Sequence, residues 1–207
     1  MVHTVIKSDR RFTYEEAQEI IETGKGDFQE EMLQLDKLAK ILRENRFKAG
    51  AINFDRYEVK FEIDEKGKPI SVYFKESKDA NKLVEEFMLL ANKSVATKMA
   101  VVPKGRKPKV FPYRIHDVPD PEKMEKLSAF IARFGYKIRT EGTKTEVSKS
   151  LNRLLDDVKG KKEEQVVELV ALRAMMKARY SIHNIGHYGL MFQYLSLIHI
   201  SEPTRRS

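Results

Sequence analysis

The feature that most constrains the fold is a pair of segments in which apolar and charged residues alternate. Residues 57–64 read YEVKFEID, and after the turn at 65–68 the alternation returns with Ile70, Val72 and Phe74. Successive side chains of a β-strand point to opposite faces. The pattern therefore predicts a hairpin with one buried face and one face in solvent.

Before the hairpin, the sequence predicts a short strand followed by two helices. Residues 2–6, which read VHTVI, are typical of a strand. Thr13 and Glu16 have the spacing of a capping box, which starts a helix that the turn at 23–26 ends. A second helix is expected over about 28–45, where apolar residues recur at helical spacing.

After the hairpin, the apolar period becomes helical from about 79 to 95. Asp120 and Pro121 offer an N-cap and a first helical residue for another helix. Two more helices are expected near 146–158 and 162–178. Because strands come early and helices late, the order favours an α+β fold, with mixed sheet elements and several packed helices, over a wound parallel sheet.

Composition narrows the classes of function. The 207 residues include no cysteine, which excludes disulfides, a thiol nucleophile and cysteine-bound metals. No apolar run approaches the roughly 20 residues that span a bilayer, and no signal peptide opens the chain, so we expect a cytoplasmic protein without a membrane partner. The formal net charge of +8 favours anionic partners, with nucleic acid first.

The basic residues are concentrated in one stretch. Residues 93–116 contain seven Lys and Arg, three prolines and no acidic residue, which predicts a loop rather than a helix. Within the sequence KGRKPK, the side chains of Lys104, Arg106 and Lys107 could follow a phosphate backbone. A solvated surface loop explains the same charges equally well.

Candidate metal-binding and catalytic residues are sparse. His183 and His187 are four residues apart, but Gly186 and Gly189 disfavour the helix that would align them on a zinc ion. The paired aspartates at 156–157 suit a solvated helix end. Metal-assisted phosphodiester cleavage requires an acidic cluster that this sequence lacks, so we predict no catalytic and no metal-binding residue in the chain.

Three stretches together are similar to motifs of one enzyme family. They are 82–92 (KLVEEFMLLAN), 113–119 (YRIHDVP) and 186–190 (GHYGL). In this order and spacing they resemble the exoribonucleases typified by ribonuclease R and ribonuclease II, the RNB family. The resemblance covers about residues 1–195 and implies a central part of the catalytic domain.

The resemblance implies an activity to which this chain contributes a part. Members of the family thread single-stranded RNA into a channel and hydrolyse it processively from the 3′ end, releasing nucleoside monophosphates. They use Mg²⁺ held by aspartates, and an arginine supports the developing charge. This sequence contains neither of those two family segments. We therefore expect a monomeric chain that binds RNA but does not cleave it alone.

The resemblance also assigns candidate RNA-binding residues. From the sequence alone, Phe54 is either core filler or a stacking platform, and it matches the family phenylalanine that stacks on the 3′-terminal bases. Glu85 matches a glutamate that contacts the RNA sugar, and Glu86 is the rival position. Three further motif residues are candidates for RNA contacts or for structural hydrogen bonds: Arg114, His116 and His187.

Two other classes of function remain open. The chain could be a non-catalytic RNA-binding module that uses the basic loop and an aromatic stacking residue. It could also be a fragment that neither folds stably nor binds. An aspartate-rich motif encoded in frame upstream of Met1 would favour the enzyme.

The end of the chain differs in character from the rest. Residues 196–207 read SLIHISEPTRRS and resemble the translation of sequencing-adapter DNA. Their apolar patch is too small to anchor a core, so we expect that removing them leaves the fold unchanged. Arg205 and Arg206 are not matched to the paired arginines of the family, because the surrounding residues differ.

Overall fold

The structure is a computed structural model that describes residues 5–53, 58–64, 67–75 and 77–197. Within these ranges it contains six α-helices and two antiparallel two-stranded sheets, which confirms the α+β class. The helices are α1 (Tyr14–Thr23), α2 (Gln29–Lys48), α3 (Asp79–Ala100), α4 (Pro121–Ala132), α5 (Lys144–Val158) and α6 (Glu164–Ala174). The strands are β1 (Glu58–Ile63), β2 (Pro69–Lys75), β3 (Tyr113–Ile115) and β4 (Arg179–Ser181).

The chain divides into two compact units. The first comprises Met1–Leu42 and Arg56–Phe87, and the second comprises Arg43–Asp55 and Met88–Ser207. Two of the three boundaries fall inside α2 and α3, so each of these helices contributes residues to both units.

The first helix begins as predicted. The Thr13 hydroxyl accepts the Glu16 backbone N–H (3.1 Å), and the Glu16 carboxylate accepts the Thr13 N–H (2.7 Å). Gly24 ends α1 with a left-handed φ of 67°. The strand predicted over 2–6 is wrong in its described part, since residues 5–6 are exposed and outside any strand. The rest of that segment lies outside the described ranges.

Polar contacts fix the start of α3 within the first unit. The buried Gln18 of α1 accepts the Ala80 N–H through its side-chain oxygen (2.9 Å). Lys40 of α2 forms ion pairs with Asp36 (2.7 Å) and with Asp79 of α3 (3.2 Å). Because the first N–H groups of a helix have no partner inside the helix, the Gln18 contact satisfies one of these otherwise unpaired donors.

The predicted hairpin is present, but its apolar face is exposed. In the antiparallel β1–β2 pair, Phe61 lies opposite Val72. The exposed fractions of Phe61, Ile70 and Val72 are 57%, 65% and 57%, so the prediction of a buried face is wrong for these residues, and the side chains of Val59 and Phe74 lie outside the description. Alternation identifies the face that a second layer would cover, and it does not report whether the chain supplies that layer. Tyr57 and residues 65–66 lie outside the described ranges.

The basic stretch is helical in its first third. α3 continues to Ala100, and the Val101 N–H donates to the Thr97 carbonyl (2.8 Å). The predicted loop is therefore wrong for residues 93–100. The helix ends shortly before Pro103, since a proline disfavours helical geometry in the residue that precedes it.

The main core lies in the second unit, between α4, α5 and α6. Asp120 caps α4 as predicted, accepting the backbone N–H groups of Glu122 (3.0 Å) and Lys123 (3.4 Å). The helix predicted to reach residue 178 ends at Ala174, because the buried Met175 adopts an extended backbone. Fully buried side chains fill the space between these helices: Leu127, Ile131, Leu151, Val158, Val167 and Ala171.

A second, smaller sheet follows this early helix end. β3 and β4 pair antiparallel, with Arg114 opposite Tyr180. The side chains of Tyr113 and Ile115 are buried with Ala96 of α3. The sequence patterns did not predict these strands, since three residues are too few to show a period.

Candidate nucleic-acid interface

The second and third family-like motifs meet at the end of β3. The His116 backbone N–H donates to the Gly186 carbonyl (3.0 Å), and the Tyr188 N–H donates to the His116 carbonyl (2.8 Å). Two segments about 70 residues apart in sequence are therefore joined through their main chains. We call the group formed by His116, Gly186, His187 and Gly189 the histidine–glycine assembly.

The His116 ring completes this connection. Its Nδ1 accepts the Gly189 N–H (2.9 Å), and its Nε2 lies 2.6 Å from the Met176 carbonyl oxygen. A ring nitrogen that accepts a hydrogen bond carries no proton, so Nε2 carries the proton and donates to Met176. The network thus assigns His116 as one neutral tautomer that bridges three segments.

His187 has a similar structural role. Its Nδ1 accepts the Leu190 N–H (3.2 Å) at the start of a 3₁₀ turn, Tyr188–Leu190. The His187 ring lies beside the His116 ring, with centroids 4.9 Å apart and an interplanar angle of 51°. Each ring packs against its neighbours rather than standing in open solvent.

Burial keeps both histidines neutral near pH 7. The pKa of His187 is lowered to about 4, mainly by burial, and the nearby His116 and Arg114 contribute in the same direction. Burial also lowers the pKa of His116. Within the described residues, no group of three or more His, Asp or Glu side chains is arranged to hold a metal ion. Ring nitrogens of both histidines form hydrogen bonds with backbone groups, as those of structural residues do.

The glycines of the motif allow this close approach. A Cβ atom on Gly189 would lie 2.9 Å from Nδ1 and 3.1 Å from Cε1 of His116. Gly186 has a φ of 85°, and a Cβ there would lie 3.2 Å from the Phe192 carbonyl oxygen. The expectation that these glycines prevent an α-helix is confirmed, since the segment forms a 3₁₀ turn.

The assembly also anchors the segment that precedes Phe54. The Gly189 carbonyl accepts the Ile52 N–H (2.9 Å). From α5, the Asn152 side chain donates to the Ala51 carbonyl (2.8 Å) and accepts the Asn53 N–H (3.1 Å). Residues 50–53 are consequently held from two sides.

Two further contacts complete the anchoring of residues 50–53. The buried Ser148 hydroxyl donates to the Gly50 carbonyl, and the Arg43 guanidinium donates to the Asn53 side chain (3.3 Å). Gly50 has a φ of 105°, where other residues are strained. Phe54 itself lies outside the described residues, so its assignment as a stacking residue stays a prediction.

Arg114 lies on the outer side of the small sheet. Its guanidinium carbon is 4.9 Å from the centre of the Tyr180 ring, its partner across the strands. The ring is 50% exposed. The motif similarity identified Arg114, but it gave no indication of Tyr180.

The basic residues of the loop are on the surface. Lys104, Arg106 and Lys107 are all exposed, in a turn where the Arg106 N–H donates to the Pro103 carbonyl (3.1 Å). We call residues 104–109 the basic turn. In the described part of the chain, no ion pair or side-chain hydrogen bond links the basic turn to the histidine–glycine assembly.

The two glutamates of α3 have different environments. Glu85 is exposed, whereas Glu86 is 3% exposed. Both belong to the first unit, and both interact with other residues. Exposure favours Glu85 over Glu86 as a ligand contact, and its contact with RNA sugar stays a prediction.

The structure thus brings together three of the eight candidate residues, Arg114, His116 and His187. Sequence reasoning missed Ser148 and Asn152, which fix residues 50–53 from α5. Their positions on an amphipathic helix carry no signal that separates them from ordinary surface or core residues.

The fold places the chain in a known class of structure. It is similar to Mycoplasma genitalium RNase R in complex with ribose-methylated single-stranded RNA, with a TM-score of 0.79 and 21% identity over 90% of this chain and 29% of that one. The yeast protein Ssd1, described as a pseudonuclease, shares the fold with a TM-score of 0.59 and 17% identity over 89% of this chain and 22% of that one.

Sequence comparison defines the family. The model of the RNB domain matches residues 1–206, so the chain belongs to the RNB domain family. It is 34% identical to ribonuclease R of Aquifex aeolicus and 35% identical to that of Thermotoga maritima, covering 98% of this chain and 28% of each relative. The chain thus spans little more than a quarter of the length of these relatives.

No helix among the described residues combines the length and the apolar character that crossing a bilayer would need.

Proposed function

We propose that this chain holds the 3′-terminal part of a single-stranded RNA within a processive 3′-to-5′ exoribonuclease of the cytoplasm. The observation that carries the proposal is the anchoring of residues 50–53 by the histidine–glycine assembly and α5. A stacking residue must be preorganised to grip a base, and a segment fixed on both sides provides that.

The described residues do not fit the Mg²⁺ ion that the family resemblance implies. Mg²⁺ prefers carboxylate and other oxygen ligands, and no suitable cluster of three acidic or histidine side chains occurs among them. The two histidines of the assembly already use their Nδ1 atoms to accept backbone N–H groups. We therefore propose that these residues bind RNA and take no part in a hydrolytic step.

Two comparisons support RNA as the ligand. The chain shares its fold with an RNase R that was solved with single-stranded RNA and also with double-stranded RNA. The formal net charge of +8 suits a polyanion.

The alternative is an RNA-binding module without nuclease activity in any context. Yeast Ssd1 has the same fold and is described as a pseudonuclease, so the fold is compatible with this alternative function. Both functions include the proposed binding of RNA, so binding and cleavage need separate measurements.

Binding is tested with the full chain and a fluorescein-labelled single-stranded oligoribonucleotide. Phe54→Ala should weaken binding by about fivefold or more, since stacking contributes on the order of 1–3 kcal/mol per base. Phe54→Tyr keeps the ring face and should bind nearly as the parent does. Loss of about 3–5 kcal/mol of stability in Phe54→Ala with unchanged affinity would show a core residue instead.

Cleavage is tested with the same oligonucleotide in Mg²⁺. We expect no shortening by the 207-residue chain. Mg²⁺-dependent shortening that survives repurification would contradict a role limited to binding and would show that the chain contains a complete catalytic centre.

A further inference from the structure

The small β3–β4 sheet is built from two segments that contain no acidic residue. Residues 93–116 carry seven Lys and Arg, and residues 169–197 carry three more without any Asp or Glu. β3 belongs to the first segment and β4 to the second. Their pairing therefore produces a cationic sheet in a chain that has 31 Asp and Glu among its 207 residues.

One face of this sheet is open. Tyr113 and Ile115 point inward and are 6% and 1% exposed. Arg114 lies between them and therefore points outward, where its guanidinium covers part of the Tyr180 ring at 4.9 Å. In the described part of the chain, Arg114 forms no ion pair with an acidic side chain, and half of Tyr180 is accessible to solvent.

A second cation–aromatic pair joins the same two segments. The Lys93 ammonium lies 5.0 Å from the centre of the Phe192 ring. In both pairs the first segment provides the cation and the second provides the ring. Aromatic rings combined with cations are the elements with which proteins bind single strands, since rings stack on bases and cations bind phosphates.

Another cation–aromatic pair in the same unit shows the contrast. Lys161 lies 4.8 Å from the centre of the Tyr136 ring, but the Tyr136 hydroxyl donates to Glu163 and its ring packs against the main core. Tyr136 of that pair therefore already has partners within the protein, namely the Glu163 carboxylate and the packed core. The Arg114–Tyr180 pair has an open ring and a cation without an acidic partner in the described residues.

We propose that Arg114 and Tyr180 form a base-stacking subsite for single-stranded RNA on the outer face of the β3–β4 sheet. A base stacks on Tyr180, and the Arg114 guanidinium binds the adjoining phosphate. The subsite rests on the proposed RNA binding and deepens it, because it adds a contact distinct from Phe54 and from the basic turn.

The stacking contact is tested by equilibrium binding of a fluorescein-labelled single-stranded oligoribonucleotide to the full chain. Tyr180→Leu should weaken binding about fivefold or more, whereas Tyr180→Phe should keep the affinity within about twofold. Melting curves of both variants accompany the titrations. Equal affinity of Tyr180→Leu and the parent would overturn the subsite, whatever the melting temperature.

The phosphate contact is tested by salt dependence. Arg114→Gln should reduce the slope of log affinity against log salt by about 0.7, the value for one phosphate contact with a single strand. Lys126→Gln removes one exposed charge from α4, near the exposed Glu122 and Glu125, and should leave the slope unchanged. An unchanged slope in Arg114→Gln, or the same loss in both variants, would contradict a specific contact.

A direct reporter is available because the chain contains no tryptophan. In Tyr180→Trp, RNA should quench the indole emission at the concentrations that give binding. In the control Phe134→Trp, which places the indole two residues after the end of α4, the emission should not change. If the parent chain binds no RNA, the proposed function fails; if it binds RNA while Tyr180→Trp emission stays constant, the subsite alone fails.

Discussion

The histidine–glycine assembly and the basic turn belong to the same unit, yet they are built in opposite ways. In the assembly, both ring nitrogens of His116 form hydrogen bonds, and so do the N–H and the carbonyl of Gly189. In the basic turn, residues 104–109 are exposed without exception. The difference predicts two tasks, since the assembly fixes the position of other residues and the charges of the turn are accessible to a ligand.

This contrast explains why similarity to a family motif does not by itself identify a ligand contact. An imidazole can form hydrogen bonds with RNA, but the Nδ1 atoms of His116 and His187 already accept backbone N–H groups. Charges in the basic turn have the accessibility that a phosphate backbone requires. Substitutions should accordingly affect stability in the first region and binding in the second.

The largest effect is expected for Gly189→Val. Its side chain would meet the His116 ring at a distance shorter than van der Waals contact and would displace the N–H donor of Gly189. Overpacking and a lost hydrogen bond together should lower the free energy of unfolding by about 2–4 kcal/mol. Urea denaturation measures this change.

Gly105→Ala provides the control for Gly189→Val. Gly105 has a φ of 89° and open space around it, so the substitution introduces backbone strain without a clash. Its cost should be about 1–2 kcal/mol. A Gly189→Val variant as stable as the parent would show that the assembly is loose.

The next effect is a dependence of stability on pH. His187 has a pKa of about 4 in the folded chain, against an ordinary value of 6.5. Between these values the unfolded chain binds more protons, so the free energy of unfolding falls as the pH falls from 6.5 towards 4. The full loss from this residue is on the order of 3 kcal/mol.

Two variants isolate the contribution of His187. His187→Gln should reduce the pH dependence between 6.5 and 4, and the lowered pKa of the buried His116 accounts for a part that remains. His183→Gln removes an exposed histidine of the same segment and serves as the matched control. Identical profiles for both variants would show that His187 is not the titrating group.

Substitutions in the basic turn should change RNA binding and leave stability nearly unchanged. Changing Lys104, Arg106 and Lys107 together to Gln should alter the free energy of unfolding by less than about 0.5 kcal/mol. The salt slope of RNA affinity should fall by up to about 2, since each phosphate contact with a single strand contributes about 0.7. Fluorescence anisotropy at several salt concentrations measures the slope.

A matched triple substitution serves as the control for the basic turn. It removes three exposed lysines from helices of the same unit: Lys123, Lys126 and Lys149. The net charge of the two variants is equal, so a difference between their salt slopes reports position rather than total charge. Equal slopes would mean that the turn is a solvated loop.

The local parts of the fold were predictable from the sequence. Capping at Thr13 and Asp120 depends on residues within one helical turn, and the β1–β2 hairpin depends on alternation over a few residues. The exposure of Phe61 was not predictable, because burial depends on a layer that alternation does not report.

The sequence identified several residues of the candidate site, but it did not predict how they are arranged. The motif similarity singled out Arg114, His116 and His187. The hydrogen bond between His116 and Gly189 joins residues 73 positions apart, and no local pattern carries such a separation. Tyr180 belongs to a three-residue strand, which is too short to leave a periodic signal.

The smallest predicted effect concerns the end of the chain, where the structure extends the packed region past the expected boundary at residue 195. Ser196 is 1% exposed, and its hydroxyl donates to the Pro112 carbonyl (2.5 Å), whereas Leu197 is 50% exposed. Residues 198–207 lie outside the described ranges. Because the sequence of residues 198–207 resembles translated adapter DNA, a chain that ends at Leu197 should melt as the full chain does.

A chain that ends at Leu195 should be less stable by about 1 kcal/mol, the net contribution of one hydrogen bond. Ser196→Ala in the full chain should show the same loss, since it removes the donor and keeps the backbone. Thermal melting of the three chains side by side measures the difference. If the chain ending at Leu197 were destabilised by several kcal/mol, residues beyond it would belong to the packed structure, and the sequence 198–207 could not be foreign to the fold.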